Sequence, residues 1–308
     1  MKGRDLAILV AKIAVLAVVL MMINGFASRF LPEMSSTATP GDTAAVATQP
    51  SGSFMAIVLT VMLLQTIALA YPIVRSKWSG WKLTFSMFLL YFGTVTFMGQ
   101  IESLVYLGGK MPEGMLPGLF AMGFLTSAVF APIAVVALGK WKPRAAGADI
   151  ASGRQPASTG RWPARIALGG LVFLALYYLF GYYVAWKNPL VRDYYGGTDP
   201  GSFIAQMRSV VQGTPWMLPF QYVRGLLWVG LALLVIRMMK GPWWEAGIAV
   251  SLLFTVPSLY LALPNPMMPE AVRMAHLIET VPYQFLFGWF AAWLFRGSAG
   301  SKLVAQPA

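Results

Sequence analysis

Apolar runs of about the 20 residues that a bilayer requires recur along the 308-residue chain. They occupy residues 6–26, 54–74, 83–107, 118–138, 166–186, 221–236, 243–263 and 271–295. The pattern predicts an all-α integral membrane protein with about eight transmembrane helices, because lipid leaves every backbone group to be satisfied inside its own helix. The first run follows Lys2 and Arg4 and is longer than the roughly 7 to 15 apolar residues of a signal peptide, so an uncleaved first span is expected. Lys12, inside that run, reaches back to the surface on its long stem.

The polar connections differ sharply from one another. Residues 29–53 are small, polar and proline-containing, and read as an exposed loop. Residues 140–165 mix Lys140, Lys142, Arg144, Arg154, Arg161 and Arg165 with Gly, Ala, Ser and Pro, the composition of a basic linker. Residues 187–220 form a long polar stretch whose centre, PGSFIAQMRSVVQ, suits a short interfacial helix, which makes it the candidate lid. The chain therefore divides into a first four-helix half (1–139), the linker (140–165), a second half (166–296) and a tail (297–308). Two short similarities, PSGSF at 50 with PGSF at 200 and KMPEGMLPG at 110 with PMMPEAVRM at 266, leave open two four-helix repeats in parallel orientation.

Composition agrees with the pattern and narrows the chemistry. Hydrophobic residues make up 57% and charged residues 11% of the chain, far from the roughly 25% charged content of soluble domains. The net charge of +12 sits in short loops between apolar runs, which argues against nucleic acid as a partner and for membrane topology as its cause. Lys and Arg concentrate at the N-terminus, near Arg75, in the linker, at Arg237 and Lys240, and after Phe295, so both termini are expected in the cytoplasm of a cytoplasmic (inner) membrane. With no cysteine, disulfides, thiolate metal sites and cysteine nucleophiles are excluded. Phosphate-binding glycine loops, dinucleotide fingerprints and HExxH pairs are absent as well.

The candidate site lies in the last apolar run. Its start, PEAVRMAHLIETVPY, carries Glu270, Arg273, His276 and Glu279 at steps of three, continued by Tyr283 and Gln284, and holds the chain's only histidine. Steps of three form a drifting stripe on one half of a helix, and a polar stripe in such a helix must face protein or water. With the inferred topology the stripe lies in the outer half, level with Gln100 and Glu102 near the end of the third run and Arg224 near the start of the sixth. The candidate substrate or proton site is therefore Gln100, Glu102, Arg224, Arg273, His276, Glu279 and Tyr283. Arg273 is expected to pair with Glu270, or across helices with Glu102.

A histidine between carboxylates suits a proton relay, since its charge changes near physiological pH. One histidine and no cysteine make a poor zinc or copper site, and no metal or cofactor is assigned. The 18 methionines are read as packing residues. Intramembrane CAAX-type proteases also combine about eight helices with Glu, Arg and His, but they need a paired-glutamate motif and more than one histidine, and this chain has neither. The favoured reading is a transporter or permease-like component for a small solute or proton-coupled substrate. Left open are a membrane-embedded enzyme acting on a lipid or lipid-linked substrate, a non-catalytic subunit of a membrane complex, and assembly as a homo-oligomer. The tyrosines of the fifth run and Trp186 are read as an interfacial belt that is also placed to line a pocket under the long loop.

Overall fold

Long apolar stretches interrupted by proline, glycine and charge fold as the pattern requires: into helices that end or distort where those residues stand. A computed structural model describes residues 3–32, 52–109, 111–142, 162–264 and 268–296. The bulk of the polar loop and basic linker, Lys110, and the tail lie outside the described residues. Among the described residues there is no strand, only an isolated bridge between Ser76 and Met239. The helices are α1 (Gly3–Ala27), α2 (Gly52–Arg75), α3 (Gly80–Tyr91), α4 (Met98–Leu107), α5 (Met115–Ala137) and α6 (Trp162–Phe180). There follow α7 (Pro189–Tyr195), α8 (Phe203–Gly213), α9 (Met217–Met238), α10 (Trp243–Thr255) and α11 (Glu270–Arg296).

Seven helical stretches of the described chain are long and apolar enough to cross a membrane. Helix α11, 27 residues long, has the length but carries its polar stripe in its first half and is not among the seven. Several spans open earlier than the apolar pattern indicates, among them those starting at Met115 and Met217. In each of these two, a proline (Pro117, Pro219) falls in the first helical turn, where a missing N–H breaks no intrahelical bond.

Three spans are irregular. α3 and α4 are one span joined by a π-helical stretch, Phe92–Phe97, and α6 runs into a second, Gly181–Ala185. α10 tightens into a 3₁₀ helix over Val256–Ala262, where Pro257 has no N–H to give. A π-turn inserts about one extra residue and so rotates the downstream face by about 100°.

Packing divides along the sequence. α1 packs on α2 and α5, and α3 on α5; α6 packs on α9, α10 on α11, and α11 also on α6 and α9. α2 reaches across to α10 and α3 to α9. Small residues set the closest approaches, as in membrane bundles generally. A Cβ on Gly225 would lie 2.9 Å from the Gly170 carbonyl oxygen, and one on Gly288 would lie 2.7 Å from Ser251 backbone. Between the halves lies a buried layer that includes Leu83, Leu90, Val135, Phe173, Val229 and Phe287. Large apolar side chains on α1, among them Val10, Val15 and Met22, face outward.

The end of the bundle that carries Arg75 is stitched by backbone. The Lys77 amide donates to the Met238 carbonyl at 2.8 Å, the Lys240 amide to Arg75 at 3.1 Å, and the Lys140 ammonium to the Ser76 carbonyl at 2.8 Å. Arg75 and Glu245 add an ion pair at 2.6 Å. The opposite end instead is covered by α7, α8 and their turns, and encloses a cavity.

Candidate functional site

The cavity, about 740 Å³, is bounded by the end of α4, the π-segment after α6, the start of α9, the first half of α11 and the α7–α8 loop. Two carboxylates stand on its opposite walls. On α4, Glu102 presents an oxygen 2.7 Å from Arg224 Nη2 on α9. Arg224 is 2% exposed, its Nη1 donating to Gln221 Oε1 at 2.6 Å and its Nη2 also to the Met98 carbonyl at 3.3 Å. Rings of Phe173, Tyr177 and Phe220 stand about 6 Å from the guanidinium carbon, giving the cation aromatic faces where lipid or water would otherwise be. Glu102 keeps 32% of its side chain exposed.

On α11, Glu279 Oε2 lies 2.9 Å from His276 Nδ1, one turn earlier on the same helix. The other ring nitrogen, Nε2, lies 3.1 Å from the hydroxyl of Tyr195, the last residue of α7. Burial, followed by the neighbouring Tyr194, holds the Tyr195 hydroxyl above the ordinary phenol range, so it stays protonated and is able to donate to a neutral imidazole. A carboxylate beside Nδ1 favours the tautomer with the ring proton on Nδ1, in which Nε2 is the basic atom. Glycine makes this wall possible: a Cβ on Gly181 would stand 3.3 Å from Glu279 Oε1 and 3.9 Å from Trp186 Cδ1. Glu102 is close enough to act electrostatically on both His276 and Glu279.

The roof is the segment between the π-turn after α6 and α9. Asn188 caps α7 through Leu190 N with Pro189 at the first position, Gly196 ends it in the left-handed region, and Ser202 caps α8 through Ala205 N. The Gly201 amide donates to Asp199 at 2.8 Å and, with a smaller contribution from Arg192, holds that carboxyl below the usual carboxylate range. The Gly201 carbonyl in turn accepts from Tyr182 and Lys187 at 2.5 and 2.9 Å. α8 has no buried residue, and Ile204 and Val211 are exposed, as suits a helix lying at a membrane surface.

The floor is aromatic. Tyr106 and Tyr177 share a hydroxyl hydrogen bond of 2.7 Å, and below them Tyr283, Phe173 and Phe287 stack edge to face at 6.1 and 5.2 Å. All three are buried. The cavity therefore stays in one half of the bundle.

Of the residues expected at the site, Glu102, His276, Glu279 and Tyr283 line the cavity together. Arg224 stands behind Glu102 as its partner. Gln100 does not line it; its Oε1 is buried without a hydrogen-bond partner. Arg273 corrects the expected ion pair: it pairs with neither Glu270 nor Glu102 but donates to the carbonyls of Leu261, Leu263 and Met268 at 2.9, 2.5 and 3.2 Å. It thus ties the end of the 3₁₀ helix to the residues just before α11, giving donors to carbonyls at a helix end. Glu102 pairs with Arg224 instead. Tyr195 is the participant that the pattern of charges misses, its only signal being the tandem Tyr194–Tyr195 in the lid. Among the described residues no three His, Asp or Glu come together as a metal would require.

Comparison with models of known protein families, with curated proteins and with solved structures finds no match.

Proposed function

We propose that the chain is an eight-span protein of the cytoplasmic membrane, with the Arg75 end and both termini in the cytoplasm, and that its outer half binds a small amphiphilic molecule and exchanges a proton with it at His276 Nε2. The observation that carries this reading is the series Tyr195, His276, Glu279 on the wall of the cavity, a base oriented by a carboxylate and presented to enclosed space. Topology is supported by the concentration of Lys and Arg at the stitched end. α11 joins the spans as the eighth because its polar stripe is turned to the cavity and the loop rather than to lipid.

A packed aromatic floor favours transforming the molecule in place over passing it through, which makes a membrane-embedded acid–base enzyme acting on a lipid or lipid-linked substrate the better-supported form of this function. A lid carrying an amphipathic helix fits access from the membrane surface. The permease-like form keeps one observation in its favour. Two π-segments and a 3₁₀ segment flank the cavity, and such breaks are where helices hinge.

The test is incubation of the full chain with vesicles made from the total lipid extract of its host membrane, followed by mass spectrometry. Wild type is expected to deplete one amphiphile and form a product of altered mass, and His276→Gln to do neither while melting at an unchanged temperature. An unaltered lipid profile alongside uptake of protons into wild-type vesicles would overturn the enzymatic form and establish the permease.

A further inference from the structure

Resting on the cavity assigned above as a binding site, we infer that its ligand carries a positive charge: an ammonium group on an apolar body. Among the described residues the lining holds the carboxylates Glu102, Asp199 and Glu279 and no lysine or arginine. Four of the described cations around it are engaged elsewhere, and Arg208 stands on the exposed side of α8 outside the lining. Arg224 gives its terminal nitrogens to Glu102, Gln221 and Met98, Arg273 is surrounded by carbonyls, and Arg192 Nη1 donates to the Trp186 carbonyl. Lys187 donates to Gly201 and lies 4.8 Å from the Tyr182 ring. Glu102 is balanced by Arg224, Asp199 is only distantly faced by Arg192 at 3.8 Å, and Glu279 is balanced only while His276 is protonated. The described lining therefore carries an excess of negative charge.

Its walls add to the same preference. Tyr106, Tyr177, Tyr178, Trp186, Tyr195 and Tyr283 line it, and the negative faces of such rings attract ammonium groups most strongly where water is excluded. Tyr178 supplies an independent sign of a polar ligand atom. The residue is 7% exposed, lines the cavity, and its hydroxyl has no hydrogen-bond partner, an arrangement that buried polar atoms rarely keep. A phosphate or sulfate head would meet carboxylates and ring faces with no basic side chain to receive it. An amine, by contrast, is received by carboxylate, hydroxyl and ring alike, and is itself a group with which His276 Nε2 can exchange a proton.

The test uses the full chain in nanodiscs of zwitterionic lipid and three probes of equal chain length: hexylammonium chloride, sodium hexyl sulfate and hexanol. Binding is read by tryptophan fluorescence against empty nanodiscs. Saturable binding of the ammonium probe, at least about tenfold tighter than the other two, is expected. Trp186→Leu and Tyr178→Phe should each weaken it about threefold to tenfold with unchanged melting, and Asp199→Asn, on the exposed lid, by less. Equal or tighter binding of the sulfate or the alcohol would overturn the charge preference and leave the pocket reading intact. Failure of all three probes to bind saturably would overturn the pocket reading along with it.

Discussion

The two walls of the cavity use the same residue type for opposite purposes. Glu102 is held by Arg224, a partner that keeps its charge at any pH a cell meets and is itself fixed by a side-chain amide, a backbone carbonyl and three rings. Glu279 is held by His276, a side chain able to gain or lose a proton, whose second nitrogen is tied to the lid through Tyr195. The first arrangement is a permanent neutralised pair that joins α4 to α9. The second is a proton-bearing pair on one helix, linked to a segment outside the span. In a membrane interior a carboxylate needs a partner, and the partner's chemistry decides whether it is structure or function.

The largest expected effect comes from breaking the permanent pair. Arg224→Leu takes the guanidinium donor from the Glu102 carboxylate and the Gln221 side-chain oxygen, and should destabilise the protein by about 3 to 5 kcal/mol, read as a fall in melting temperature and in yield. Adding Glu102→Leu to that variant should restore much of the loss, because a buried pair replaced by apolar groups is often near neutral. If the double variant is as unstable as the single, the pair is not what holds the α4 wall.

The titratable wall should respond more weakly in stability and more strongly in function. Glu279→Gln keeps an acceptor for Nδ1 and should cost about 1 kcal/mol, yet remove proton exchange with ligand. A stability loss equal to that of Arg224→Leu would erase the distinction between the walls. Tyr195→Phe should cost about 0.5 to 1.5 kcal/mol, confined to the lid, and show as faster amide exchange over residues 186–216 with the spans unchanged. Smallest is the turn at Asp199. Because its carboxyl is held below its ordinary value in the folded chain, its contribution to lid order is complete above the ordinary carboxylate range and is lost as pH falls through the depressed value. Amide exchange at Gly201 should rise only in acid, and Asp199→Asn should abolish that dependence.

Much of this was legible from residue order, and the reasons for the gaps are physical. Apolar run length located the seven membrane-length helices, and the PGSFIAQMRSVVQ stretch located α8, because length and amphipathicity are local properties. Spacing put His276, Glu279 and Tyr283 on one face for the same reason. What failed was long-range. Arg273 is taken by carbonyls at and beyond the end of the 3₁₀ segment Val256–Ala262, which hydrophobic periodicity does not report, and Glu102 by Arg224, 122 positions away along the chain. Tyr195 reaches His276 across 81 positions of chain, a contact only the folded lid makes.

The chain's single histidine allows the central claim to be read without assignment. Nitrogen NMR of the full chain in nanodiscs, labelled at histidine alone, reports the tautomer and charge of His276 directly. A neutral ring protonated at Nδ1 that titrates within about pH 5 to 8, shifts at Nδ1 with Glu279→Gln and at Nε2 with Tyr195→Phe, is the result this account predicts. A ring indifferent to pH across that range and to both substitutions would contradict it, and would leave His276 as a packed side chain beside the cavity.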